Sequence, residues 1–202
     1  MKFRELQAAN ITASFSDQIN HTLISLDKVA SLFITKDPQK DARNVIEAPD
    51  LKILGFPNQK KTIAFEPNRF IVAYNDYKAD MNSALANDFT KILSMTGIID
   101  QSKLEAYGFN FDALAEAETG KLSDIVGPKL LQFSPDIKRG GATVSFEKDG
   151  VTYVVELKSV SEKLYHVHVN VHYQSNSIPP AETIKEEVGK QLIEFQSIIE
   201  KI

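Results

Sequence analysis

The chain has no cysteine and no tryptophan in 202 residues, and only three methionines. The missing thiols exclude structural disulfides, thiolate zinc centres, iron–sulfur clusters and cysteine nucleophiles. A strong charge of one sign is missing too. Against 27 Asp and Glu stand 23 Lys and Arg, for a formal net charge of −4. Such a chain repels a phosphate backbone unless its cations are segregated on one surface. The nearest approaches to segregation are Lys60-Lys61 with Lys52 upstream, and Lys138-Arg139. Both read as solvated charge, so nucleic acid is not expected as a partner. No apolar run reaches the ~18 residues of a membrane-spanning helix. The opening Met1-Lys2-Phe3-Arg4-Glu5 is followed by polar residues rather than by the apolar stretch of a secretory signal. The expectation is a soluble cytoplasmic protein without a membrane partner.

What is present is ordinary globular material, 43% hydrophobic and 25% charged, with twelve Phe and six Tyr as aromatic bulk. One phrase occurs twice. Thr62-Ile63-Ala64-Phe65-Glu66 is echoed by Thr143-Val144-Ser145-Phe146-Glu147, and each copy opens a hairpin pattern with an amphipathic helix downstream. In the second half, Leu104 to Glu116 alternates as a half-buried strand, and Gly120 to Phe133 has helical spacing interrupted by Gly127-Pro128. Asp149-Gly150 marks a tight turn between Thr143–Glu147 and Val151–Val160. A two-residue loop there sets Phe146 against Tyr153 and Val144 against Val155. Pairing Leu157 with Tyr165 then keeps one face apolar across a third strand, Leu164 to Tyr173. Ile184, Val188, Leu192, Phe195, Ile199 and Ile202 form the stripe of a C-terminal helix that begins near Pro179-Pro180.

The first half reads in a similar order. Asn10 to Ser16 is a strand, Asn20 to Thr35 a helix, and Val45 to Phe56 an extended segment broken at Pro49. Thr62–Phe65 and Phe70–Tyr74 flank the Pro67-Asn68 turn, and Met81, Leu85, Phe89, Ile92 and Leu93 stripe a helix ended by Gly97. The predicted fold class is α+β: antiparallel sheet with helices on one face, from tandem duplication of a β-α-β-β-β-α unit. The units span 1–100 and 101–202, as two repeats or one continuous domain. In element order alone the layout is similar to saddle-shaped two-repeat folds such as that of the TATA-binding protein, none of whose residue motifs is present.

His166, His168, Asn170 and His172 alternate along the third strand, so period two places them on one face. Imidazoles at i and i+2 on a strand can share one metal ion, and the Leu157–Tyr165 register brings Glu156 opposite His166 as a further ligand. His166, His168, His172 and Glu156 are therefore the candidate zinc ligands. Val154 and Leu164 share the face, which makes it a mixed surface. Val154, Leu164 and Asn170, with the histidines, are the candidate binding face. No catalytic residue is assigned, and zinc is the one cofactor considered. Gly-x-Ser-x-Gly, Gly-x-Gly-x-x-Gly and His-Glu-x-x-His are absent, and Gly120-Lys121-Leu122-Ser123 lacks the upstream glycine of a phosphate loop. Gly108 reads first as one flexible position in a core strand, with a bulge or a close backbone approach as the alternative. The leading expectation is a non-enzymatic binding or assembly protein, using the open face for a protein partner or for a second copy in a homodimer. The alternatives are a metal-binding protein or metal-dependent hydrolase using the histidine strand, and a small apolar ligand binder.

Overall fold

Turn chemistry sets the hairpins. In the computed structural model, which describes residues 1–95, 99–117 and 139–202, Asp149 and Gly150 both take positive φ, +53° and +74°. That is the twist a two-residue hairpin demands. They join β7 (Gly141–Lys148) to β8 (Val151–Ser159), with Val144 opposite Val155 and Phe146 opposite Tyr153 as the side-chain faces predict. Pro67-Asn68 likewise closes β4 (Lys61–Glu66) against β5 (Arg69–Asn75).

Pro49 does more than interrupt an extended segment. It turns the chain between β2 (Asn44–Ala48) and β3 (Leu51–Phe56), so the first half holds one strand more than expected. Proline suits such a corner because its φ is preset and it has no N–H to lose from a ladder. The predicted helix at 20–35 is also broken. The Asn20 side chain caps a short 3-10 turn over His21–Leu23, and Ser25 restarts the chain as α1 (Leu26–Ser31) by accepting from Lys28 N. Polar side chains that bond nearby backbone compete with a continuous helix.

With β1 (Lys2–Phe15), β6 (Leu104–Glu116) and β9 (Leu164–Gln174), the described residues form one antiparallel sheet. Its order is β2-β3-β4-β5-β1-β6-β9-β8-β7. Period-two alternation sends Ile11, Ala13, Val72, Phe109, Phe111, Val169 and Val171 to one side, all at or near zero exposure. Both long helices cover that side. Phe89 of α2 (Asn82–Leu93) stacks on Phe70 at 4.8 Å, and Phe195 of α3 (Ala181–Lys201) stacks on Phe111 at 5.6 Å. The α3 stripe Ile184, Val188, Leu192, Phe195 and Ile199 is buried as its spacing predicts, whereas Ile202 is exposed beyond the helix end. Phe33, just beyond α1, meets Phe56 edge-on from the same side. The fold is α+β with helices on one face. The predicted helix at 120–133 lies outside the described residues.

The repeated pentapeptide does not fall on equivalent strands. Counting outward from the central β1–β6 pair, β4 is second on its side, while β7 is third on the other; β8 occupies the place matching β4. Ile63 and Phe65 are fully buried, whereas Val144 is 56% exposed. The order of strands outward from the centre nevertheless runs alike on both sides.

Two polar clusters lie under the helices. Lys61 meets Asp88 at 2.6 Å with both side chains 7% exposed, Tyr74 donates its hydroxyl to Asp88 at 2.5 Å, and the Lys61 ammonium sits 4.5 Å from the Phe33 ring centre. Burial, and then the Asp88 carboxylate, push the Tyr74 phenol well above its usual range. Beneath α3, Tyr153 donates to Gln191, Gln191 to Tyr173, and Tyr173 to Glu187, at 2.9, 2.7 and 2.7 Å. Each buried polar atom in these clusters therefore has a partner.

Candidate functional site

The sheet side opposite the helices carries the other half of each alternation. At its centre, three consecutive strands place asparagines opposite one another: Asn10 on β1, Asn110 on β6 and Asn170 on β9. Their amides are chained. Asn170 Nδ2 donates to Asn110 Oδ1 at 2.6 Å, and Asn110 Nδ2 donates to Asn10 Oδ1 at 2.8 Å. Thr12 Oγ1 adds a second donor to Asn10 Oδ1 at 3.1 Å. The chain has direction. Among the described residues, the Asn10 amide N–H groups at one end and the Asn170 Oδ1 at the other are left for an outside partner.

Beside this ladder runs a groove of about 330 Å³ lined by Asn10, Ser14, Arg69, His168, Asn170 and His172, among others. Gly108 forms part of its floor. A Cβ there would lie 2.5 Å from the main-chain oxygen of Val171, so the β6–β9 approach is closer than any side chain permits. The close backbone approach, the alternative to a merely flexible core-strand position, is thus what Gly108 marks.

His166, His168, Asn170 and His172 do share this face, with Val154 beside Asn170 and Leu164 at the start of β9 opposite Glu116. The register of β8 on β9 differs from the expected one by two residues. Leu157 pairs with Val167 and Ser159 with Tyr165. Val160 N and Ser161 N both donate to Leu164 O, at 2.8 and 3.0 Å, and close a shorter loop than the expected pairing needs. A two-residue shift conserves every face and changes every neighbour. Glu156 consequently opposes His168, and Lys158 opposes His166, correcting the predicted Glu156–His166 juxtaposition.

Asp112, opposite His168 on β6, organises the imidazoles. His168 Nδ1 lies 2.9 Å and His166 Nε2 lies 3.1 Å from the same carboxylate oxygen, Asp112 Oδ1. The His168 Nδ1–H donates to it, while His166 lies within ion-pair distance only; among the described residues Nε2 is then the free ring nitrogen of His168. The Asp112 hydrogen bond raises the His168 pKa above the usual imidazole value, against the opposing effect of burial. Glu156 is turned to Lys158 at 2.8 Å, and this contact holds its carboxyl below the usual range. His172 stands apart, opposite Gly108 and Thr152. Among the described residues, no three His, Asp or Glu side chains are grouped to hold a metal ion. No Ser or Thr hydroxyl is hydrogen-bonded to His168 among them either.

Asp112, Asn10, Asn110 and Arg69 were not singled out from the sequence. A signal for two of them exists in Phe109-Asn110-Phe111-Asp112, where polar residues alternate with buried aromatics. The pairing of β6 with β9, strands far apart in the chain, has no local signature. Among the described residues no helix is long and apolar enough to cross a membrane. A scan of the chain against protein-family models finds no match, and neither does a search of curated proteins.

Proposed function

We propose that this is a non-enzymatic binding protein that receives a protein partner, a different chain or a second copy, on the face of its sheet opposite α2 and α3. The observation that carries the reading is the directional Asn170–Asn110–Asn10 ladder beside an open groove. The ladder spends its inner hydrogen bonds on itself, which fixes the amide orientations. Its unspent donor and acceptor ends are then presented in a preset geometry, and preorganised polar groups confer specificity at low ordering cost. Val154, directly opposite Asn170, supplies apolar contact next to the ladder.

The test is capture of binding partners by the full chain, followed by calorimetry of each purified pair and by light scattering across a concentration series for a second copy. Asn170→Ala with His172→Ala is expected to weaken the complex at least about tenfold, or ~1.4 kcal/mol. Glu186→Ala, on the exposed side of α3, is expected to leave it unchanged. Equal affinity for all three proteins would remove the face opposite α2 and α3 as the binding surface. The metal reading has its own test, since a zinc-induced rise in melting temperature that is lost in His168→Ala would favour it over protein binding.

A further inference from the structure

β2 ends the sheet among the described residues. Val45 is 49% and Ile46 56% exposed, one on each side of the strand. Edge strands are ordinarily protected by charged side chains, lysine above all, or by a proline, a bulge or a covering segment, and among the described residues β2 has of these the single charge of Glu47. Asn44-Val45-Ile46-Glu47-Ala48 contains no lysine or proline, and its register with β3 runs unbroken from Asn44 opposite Gly55 to Ala48 opposite Leu51. We infer that the outer edge of β2 pairs antiparallel with β2 of a second copy, about a twofold axis perpendicular to the sheet.

Geometry and charge select the register. Such an axis keeps the helices of both copies on the same side of the joined sheet, so residues that oppose each other must share a side. Val45 lies on the side of α2 and α3, opposite the buried Leu54, and Ile46 lies on the other side, opposite Ile53. Centred on Val45, the pairing places Val45 against itself and Asn44 against Ile46 of the second copy. It also places Arg43 against Glu47 of the second copy, and symmetry repeats that ion pair. Centred on Ile46, it would set Glu47 against Val45 and make no pair of opposite charges. Arg43 and Glu47 already have partners within the chain, Asp27 at 2.8 Å and Lys52 at 2.5 Å. Their side chains are 41% and 58% exposed, with room for a second counter-charge. Strand addition gains main-chain hydrogen bonds, while the flanking charges fix the alignment.

The edge is separate from the face opposite α2 and α3, so the two readings fail separately. A native chain without cysteine makes single-thiol variants clean reporters. Residues directly opposed on paired strands have Cβ atoms from ~4.5 Å apart and a disulfide spans ~3.5–4.5 Å, so a small local shift lets mild oxidation join them. Val45→Cys is expected to give a covalent dimer well before Ile46→Cys or the opposite-edge variant Ser145→Cys. Arg43→Glu and Glu47→Arg are each expected to raise the dimer dissociation constant at least about tenfold. The double swap should restore it, which a loss of the Lys52 contact alone would not do. A wild-type chain that stays monomeric in light scattering up to its solubility limit would overturn the inference. So would Val45→Cys forming dimers no faster than Ser145→Cys.

Discussion

Replacing Asp88 by alanine should unfold this protein at markedly lower denaturant concentration. Asp88 is the acceptor for Lys61 at 2.6 Å, for the Tyr74 hydroxyl at 2.5 Å and for Lys91 at 3.4 Å, and its side chain is 7% exposed. Removing it leaves an ammonium buried without a counter-charge. Breaking a buried pair from one side costs ~3–5 kcal/mol. The orphaned phenol adds ~1 kcal/mol or more. The Lys61–Phe33 contact at 4.5 Å is present with or without Asp88, so it offsets none of this. The net expectation is a loss of at least about 4 kcal/mol. For a chain of this size that lower bound corresponds to about 8–16 °C in melting temperature. Urea unfolding followed by far-ultraviolet circular dichroism measures it, since the chain has no tryptophan reporter. Lys61→Met with Asp88→Leu removes both charges together and should recover most of the loss. A loss below ~1 kcal/mol for Asp88→Ala, the range of exposed ion pairs, would refute the buried-pair reasoning.

Histidine titration followed by nuclear magnetic resonance should show His168 losing its proton at a higher pH than an ordinary imidazole, and Asp112→Asn should remove that displacement. The sign follows for stability. A group whose folded pKa is raised stabilises fully below its unfolded value, ~6.5, and the contribution disappears as pH rises through the folded value. Wild type should therefore lose stability across that window and Asp112→Asn should not; parallel pH profiles would rule out the linkage. Gly108→Ala forces a Cβ to within 2.5 Å of a main-chain oxygen and should cost ~1–3 kcal/mol, whereas Gly55→Ala, with nothing nearer than 3.9 Å, should stay within ~0.5 kcal/mol. Gln191→Leu should cost ~1–3 kcal/mol because Tyr153 and Tyr173 both lose a buried partner, and a neutral result would mean that water replaces it.

Legibility tracked the range of the interaction that decides each feature. The Asp149-Gly150 hairpin, the α2 and α3 stripes and the period-two face of His166, His168 and His172 depend on neighbours a few residues away. Each was readable with its residues. The 20–35 helix misled because its apolar positions fit a helix while Asn20 and Ser25 cap two separate pieces. The β8–β9 register misled because a two-residue slip moves no side chain to the wrong face. Pattern alone is blind to it, and a four-residue loop decides.

By itself, the sequence determined the α+β class, the sides on which side chains lie, the turns, and the want of any thiol chemistry. These follow from composition, periodicity and local backbone preference. Only the tertiary structure decided that β1 and β6 meet at the centre, that Asn10, Asn110 and Asn170 line up across three strands, and that Asp112 rather than Glu156 holds the histidines. It also decided that the echoed pentapeptide sits in the core once and near an edge once. Those facts depend on which strands become neighbours, and that choice is made by burial of the whole apolar face beneath the helices, a sum over residues a hundred positions apart.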